Sequence, residues 1–143
     1  MRKRLERQDA IKRIVRSERV KTQRALVENL KAEGFVCTQA TVSRDITEMG
    51  LRKLPEGVYV LAEDLHLQRM VSDLVHDVKR SEKLVLVKAS AGTAPGVAAA
   101  LDAAELDGIL GSVAGDDTIL VITVSEDDAT LLVDTLDKFR GVS

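Results

Sequence analysis

Two short segments in the second half of the chain carry groups that suit ligand binding. Asp116 and Asp117 are adjacent carboxylates, and such a pair can bind a guanidinium or ammonium group through charge-assisted hydrogen bonds. Residues 92–96, GTAPG, stand where a helix opens, and a helix opening offers unpaired backbone N–H groups to an anion. Together the two segments predict a site for a small zwitterion with a cationic side chain. The alternative is turn chemistry alone, because glycine-rich helix starts and Asp pairs are common in tight turns.

A further set of candidate residues lies on a helix predicted between Thr38 and Met49. At about 100° per residue, four small or polar side chains share its outward side: Ala40, Ser43, Arg44 and Thr47. This face suits the major groove of DNA, because small side chains allow close approach and one Arg can bond guanine bidentately. Helix-turn-helix folds also serve in protein contacts, in which case Ser43 and Arg44 would be ordinary solvated residues.

Capping residues and apolar spacing predict the helices that position this face. Apolar residues recur at helical spacing over residues 7–16, which predicts a first helix. Thr22 is a plausible N-cap for a second helix that stops near Gly34. Thr38 caps the third helix, and Gly50 follows its end. The apolar side of the third helix faces the core: Val42, Ile46 and Met49.

A hairpin is predicted directly after the third helix. Residues 51–54 and 58–61 are short strand-like runs, and the Pro-Glu-Gly sequence between them is typical of a turn. Three helices followed by a hairpin form a winged helix-turn-helix. In that fold Arg52 and Lys53 would reach DNA phosphates.

The second half of the chain predicts an α+β arrangement, an α/β sandwich of helices against one sheet. Its order is strand-strand-helix-strand-strand-helix. The elements in that order are residues 70–78, 84–87, 97–104, 109–114, 118–124 and 127–139. Residues 70–78 fit helical spacing better than strict alternation, but we assign them as a strand. The predicted domains are therefore residues 1–62, a linker at 63–69, and residues 70–143.

The charge is divided between the two halves. Residues 1–61 hold 14 Lys and Arg against 8 Asp and Glu, a net charge of +6, whereas residues 62–143 hold 7 against 15, a net charge of −8. Such asymmetry favours a basic module that binds a polyanion and an acidic module with another task. A charge imbalance without functional meaning is the alternative.

The sequence also argues against several classes of protein. The single Cys37 excludes an internal disulfide, and with only His66 and His76 there is no spacing typical of a zinc site, so we expect no metal and no cofactor. The first residues, MRKR, do not precede an apolar run, and we expect neither a secretory signal nor a membrane span. We therefore expect a cytoplasmic protein. No nucleophile stands with an evident base, which argues against an enzyme and against any catalytic residue.

Two segments resemble the bacterial arginine repressor family: residues 38–46, TQATVSRDI, and residues 108–118, GILGSVAGDDT. The similarity covers nearly the whole chain, and both motifs occur in the family's order and spacing. The resemblance implies an N-terminal winged helix that binds operators of arginine genes. It also implies a C-terminal oligomerisation domain that forms a homohexamer, a dimer of trimers, and binds L-arginine as corepressor. Repression of arginine biosynthesis is expected, and activation of arginine catabolism is left open.

The resemblance assigns roles to particular residues of this chain. Ser43 and Arg44 match the pair that reads double-stranded operator DNA. The full set of expected DNA-binding residues is Gln39, Thr41, Ser43, Arg44, Thr47, Arg52 and Lys53. The acidic pair matches the residues that hold arginine between trimers, and the glycine-rich loop matches another wall of that site. The full set of expected arginine-binding residues is Gly92, Thr93, Ala94, Asp116 and Asp117.

One position departs from the family pattern. Family members often carry Gln, His or Asn where this chain has Pro95, which has neither a polar side chain nor a backbone N–H. A contact made by that side chain in relatives must be absent or replaced here. A regulator that senses a different amino acid is the main alternative. A purely structural oligomerisation protein would leave the basic half unexplained.

Overall fold

The computed structural model describes residues 2–142, which form two compact units that divide between Ala62 and Glu63. The first unit contains three helices and a two-stranded antiparallel hairpin. These elements are α1 (Arg2–Ser17), α2 (Gln23–Ala32), α3 (Gln39–Met49), β1 (Leu51–Lys53) and β2 (Tyr59–Leu61). The predicted winged helix-turn-helix is confirmed. The helix α1 begins at Arg2, whereas apolar spacing predicts a start near Arg7. The earlier turns were not predicted because they are polar and show no apolar period.

Side-chain caps begin α2 and α3 where the sequence predicts them. The Thr22 hydroxyl accepts a hydrogen bond from the backbone N–H of Ala25 at 3.0 Å, and the Thr38 hydroxyl accepts one from Thr41 at 3.2 Å. Gly50 has φ of 69°, a left-handed conformation that ends α3 and that glycine adopts without strain. These caps fix both ends of α3.

An apolar core joins the three helices to the hairpin. Its buried members are Ala10, Ile11, Ile14, Val15, Val20, Leu26, Leu30, Val42, Leu51, Tyr59 and Leu61. Leu51 is paired with Leu61 across the hairpin, and the backbone N–H of Tyr59 donates to the carbonyl of Val20 at 2.8 Å. The hairpin is therefore attached both to α3 and to the segment between α1 and α2.

The second unit begins with a helix, which corrects the sequence prediction. A 3-10 turn at Ala62–Asp64 leads into α4 (Leu65–Leu74), and the first strand, β3, covers Val75–Ser81. The strand predicted at residues 70–78 is therefore wrong for its first five residues, which are helical. Their helical spacing indicated the correct structure, because Leu67 and Val71 are buried one turn apart on α4. Residues 63–69, for which we predict a linker, lie in the 3-10 turn and the first half of α4.

The remaining elements follow the predicted order. They are β4 (Leu84–Ala89), α5 (Ala94–Ala103), β5 (Ile109–Ala114), β6 (Thr118–Thr123) and α6 (Glu126–Arg140). The strands form one antiparallel sheet in the order β3-β4-β6-β5. The three helices of this unit pack on one face of the sheet. There they cover inward residues such as Val85, Val87, Ile119 and Val121.

Candidate nucleic-acid interface and ligand site

The outward face of α3 carries the predicted DNA-contacting side chains. Gln39, Arg44 and Thr47 are exposed, whereas Thr41 and Ser43 are half-buried. The hydroxyl of Thr41 lies 3.0 Å from that of Thr38 and accepts a long, 3.5 Å bond from the guanidinium of Arg44. Arg44 and Thr47 are therefore exposed on the outward side of a capped helix, as the sequence predicts, whereas Gln39 and Thr41 lie at the two edges of that side, about 160° apart around the helix.

Two cations of the hairpin are also exposed. Arg52 and Lys53 lie on β1, and the ammonium of Lys53 lies 5.1 Å from the centre of the Tyr59 ring on the paired strand. Tyr59 is itself part of the buried core, so it gives the base of the Lys53 side chain a fixed support. A cation over an aromatic face keeps its charge available to an anion.

The opposite side of α3 contains a buried carboxylate that the sequence reasoning missed. Asp45 is 2% exposed. Arg7 of α1 donates to both of its oxygens, from Nε to Oδ2 at 2.5 Å and from Nη2 to Oδ1 at 3.0 Å. Gln8 of α1 donates a third bond to Oδ1 at 3.0 Å. We call these three residues the clasp, because they hold α3 against α1.

The clasp sets the protonation of its members. Burial alone would raise the pKa of Asp45, but the hydrogen bonds from Arg7 and Gln8 and the charge of Arg7 outweigh it and hold that pKa below its ordinary value. The pKa of Arg7 is raised, chiefly by its hydrogen bond to Asp45. The pair is therefore fully ionised at neutral pH. The sequence contained one indication of this buried acid, because Asp45 lies three residues after Val42 and therefore on the apolar side of the helix.

The two segments of the predicted ligand site lie next to each other in the second unit. Asp116 and Asp117 are exposed at the turn between β5 and β6. The backbone carbonyl of Asp116 accepts from the N–H of Ala94 at 3.1 Å, and that of Asp117 accepts from Ala89 at 2.8 Å. The acidic turn is therefore fastened to the loop that contains Gly92, Thr93 and Ala94.

The same hydrogen bonds correct one part of the prediction. We expected unpaired N–H groups from Gly92 to Gly96, but the N–H of Thr93 donates to the carbonyl of Ser90 at 3.1 Å and that of Ala94 donates to Asp116. Pro95 has no N–H. The backbone that binds the acidic turn cannot also bind an anion with the same groups, so the anion-binding capacity of this loop is smaller than predicted.

A lysine beside the acidic pair was also missed from the sequence. The ammonium of Lys88 on β4 donates to the hydroxyl of Thr118 at 2.7 Å, and that hydroxyl donates to Oδ1 of Asp117 at 2.8 Å. Lys88 also forms a 3.8 Å ion pair with Asp117. The Thr118 bond and then the Lys88 charge lower the pKa of Asp117. Within residues 2–142, Asp116 has no such cation beside its carboxylate, so the two acids are chemically unequal.

The sheet face opposite the helices exposes large apolar side chains. In one row across the sheet, Lys79 is paired with Leu86, and Leu86, Leu120 and Val113 follow in paired register. We call these last three residues the apolar row. Val113 is 67% exposed, and Leu110 on the same edge strand is 70% exposed. An apolar patch of this extent is typical of a protein–protein contact. The indication in the sequence was the unbroken apolar run of β4 and β6, which predicts burial on both faces.

The described part of the chain shows neither a membrane-spanning helix nor a cluster of metal-binding side chains. Over residues 2–142, no helix is long and apolar enough to cross a membrane. In the same range, no group of three or more His, Cys, Asp or Glu side chains is placed to hold a metal ion. Burial raises the pKa of the Cys37 thiol, which disfavours the nucleophilic thiolate.

Comparison with known proteins gives matches over both units. Residues 1–67 match the family model of the arginine repressor DNA-binding domain, and residues 71–138 match that of the arginine repressor C-terminal domain. The arginine repressor of Thermus thermophilus is 46% identical over 148 residues, which cover 96% of this chain and 88% of the relative. That of Carboxydothermus hydrogenoformans is 38% identical over 146 residues, covering 94% and 97%. That of Halothermothrix orenii is 42% identical over 121 residues, covering 77% and 81%.

The clasp predicts a specific pH dependence of stability. Because the pKa of Asp45 is lowered by folding, its ionised form stabilises the fold at neutral pH, and this contribution is lost as the pH falls through the lowered value. We expect Asp45→Asn to reduce the free energy of unfolding by about 2 kcal/mol at pH 7. The difference in the free energy of unfolding between the variant and the unsubstituted protein should become smaller as the pH falls from about 5 toward 2. Urea unfolding followed by circular dichroism measures both quantities, and parallel pH profiles for the two proteins would contradict the role of the clasp.

Proposed function

The chain belongs to the arginine repressor family, and we propose which of its residues bind DNA and which bind arginine. A protein of this family is an arginine-dependent DNA-binding transcriptional repressor of arginine biosynthesis and not an enzyme. Residues 1–62 bind operator DNA, and residues 70–143 bind L-arginine and assemble the chain into a homohexamer, with residues 63–69 joining them. The observation that carries this proposal is the capped helix α3, whose outward face holds Ser43 and Arg44 while its inward face is clasped to α1.

In this proposal α3 enters the major groove of operator DNA. Arg44 bonds the edge of a guanine, and Ser43 lies close enough to a base edge or sugar to fix the register. Gln39, Thr41 and Thr47 line the same face, and Arg52 and Lys53 bind phosphates from the hairpin. The net charge of +6 over residues 1–61 supports this placement, because the phosphate backbone dominates affinity for DNA. Since its target is chromosomal DNA, the protein acts in the cytoplasm.

In the second unit, the guanidinium of L-arginine binds the acidic turn. Asp116 carries more of this interaction than Asp117, because Lys88 and Thr118 already occupy part of the Asp117 carboxylate. Gly92, Thr93 and Ala94 form the adjacent wall, which the hydrogen bond between Ala94 and Asp116 holds in contact with the turn. Pro95 shapes this wall without donating a bond.

Assembly follows from the exposed face of the sheet. A lone unit leaves Leu110, Val113 and Leu120 in water, and burial of such side chains against other subunits is favourable. We infer a dimer of trimers in which bound arginine bridges subunits. Several winged domains on one particle then bind clustered half-sites with an avidity far above that of one domain.

The DNA contacts divide into two classes that substitution distinguishes. We expect Arg44→Ala to cost about 1 to 3 kcal/mol on operator DNA and little on random DNA. Lys53→Ala should weaken binding to both DNAs equally. It should also reduce the slope of log affinity against log salt concentration by about one unit. Fluorescence anisotropy on the two DNAs at several salt concentrations measures these effects. Equal losses on both DNAs from Arg44→Ala would refute base reading by this residue.

The unequal acids predict unequal effects on ligand binding. Asp116→Asn should weaken L-arginine binding by about 2 kcal/mol, since it removes one charged acceptor. Asp117→Asn should weaken it by less. Asp107→Asn, at an exposed acid of the same unit before β5, is the matched control and should have no effect. Isothermal titration calorimetry gives the three affinities, and an unchanged affinity in Asp116→Asn would exclude the assigned site.

The exposed sheet face predicts which substitution disrupts assembly. Val113→Glu places a charge in the apolar row, so it should reduce the mass of the particle with and without arginine. Val36→Glu changes a valine of the first unit that is 87% exposed, and it should leave the mass unaltered. Analytical ultracentrifugation tests this, with circular dichroism to verify folding. If the unsubstituted protein is a monomer both with and without arginine, the proposed assembly is wrong.

A further inference from the structure

We propose that Arg7 and Asp45 are positioning residues that set the orientation of α3, and thereby operator discrimination, without contacting DNA. The inference rests on the proposed function, in which α3 reads DNA. Asp45 directly follows Arg44 in the chain, so the bond that fixes one residue fixes the backbone of the other. The two side chains lie about 100° apart around the helix, so that Asp45 is 2% exposed on the side that faces α1 while Arg44 is exposed.

The geometry of the clasp restricts rotation of α3 about its own axis. The other inward residues, Val42, Ile46 and Met49, pack by apolar contact, which is non-directional and tolerates small rotations. The guanidinium of Arg7 is a planar fork that bonds both oxygens of Asp45, and this arrangement tolerates little change in angle. A rotation of α3 would break the fork and leave a buried charge unpaired.

A second contact lies one turn further along α3. Gln8 donates from Nε2 both to Asp45 at 3.0 Å and to Glu48 at 2.9 Å, and Arg4 also pairs with Glu48. Two successive turns of α3 are therefore held along two turns of α1. Attachment at two points fixes the tilt of the helix as well as its rotation.

The clasp also explains why two basic residues of α1 are poor candidates for phosphate contacts. The Arg7 side chain is 16% exposed and its guanidinium is bonded to Asp45, whereas Arg4 is paired with Glu48. Removal of Arg7 should therefore change the placement of Arg44 rather than the number of phosphate contacts. This separates positioning from electrostatic attraction, because only phosphate contacts alter the salt dependence of binding.

The same helix offers a matched control pair. Arg13 of α1 donates to Glu33 at the end of α2 at 2.6 Å, so this pair joins α1 to α2 and not to α3. Arg13→Gln therefore removes an ion pair of the same chemistry from the same helix and leaves the clasp intact. Ile14→Val, at a core residue 3% exposed, provides a second control that lowers stability alone.

The test uses the full chain with saturating L-arginine and measures affinity for operator and random DNA at several salt concentrations. We expect Arg7→Gln and Asp45→Asn to lower the ratio of operator to random affinity by about ten- to a hundredfold. Random-DNA affinity and salt slope should stay unchanged. Arg7→Lys restores the charge without the fork, so it should recover stability more than discrimination. Arg13→Gln and Ile14→Val should keep the ratio of the unsubstituted protein, and urea unfolding verifies that every variant is folded under the assay conditions.

Three outcomes would overturn the proposal. An unchanged ratio in Arg7→Gln and Asp45→Asn, with a reduced ratio in Arg44→Ala, would remove the positioning role and leave DNA reading by α3 intact. A smaller salt slope with equal losses on both DNAs would make Arg7 a phosphate contact instead. An unchanged ratio in Arg44→Ala as well would overturn both the positioning role and the proposed function.

Discussion

The bidentate bond between Arg7 and Asp45 is the interaction on which the first unit depends. A buried carboxylate is costly unless it is paired, so α1 and α3 can associate only in the arrangement that satisfies Asp45. That arrangement turns Ser43 and Arg44 outward and leaves the hairpin to follow from the end of α3 at Gly50. A small domain with an apolar core alone would have less directional control over its outermost helix.

The second unit is built around a different constraint, a sheet with helices on one face only. Its other face exposes an apolar row, and its β5–β6 turn exposes two acids, of which Asp117 is partly neutralised by Lys88. Apolar exposure supports assembly, and an acid without a neighbouring cation supports binding of a cationic ligand. Joined to a basic first unit, these features support a regulator in which ligand and assembly control the use of α3.

Local signals in the sequence predicted the fold of the first unit well. Thr22, Thr38 and Gly50 act through hydrogen bonds or dihedral preferences within a few residues, so spacing reveals them. The partner of Asp45 could not be predicted in the same way, because Arg7 is brought beside it only by the packing of α1 on α3. The start of the second unit was mispredicted where an apolar run was assigned as a strand against its helical spacing. The two segments of the predicted ligand site lie next to each other, but the hydrogen bond that joins them uses an N–H we expected to be free.

In the proposed function, L-arginine controls the reading of operator DNA by α3. The most direct measurement is a titration of the intact protein against DNA from upstream of an arginine biosynthesis gene, and against random DNA of equal length, with and without L-arginine at one salt concentration. We expect arginine to strengthen operator binding by about tenfold or more and to change random-DNA binding much less. Equal operator affinity with and without arginine would contradict it.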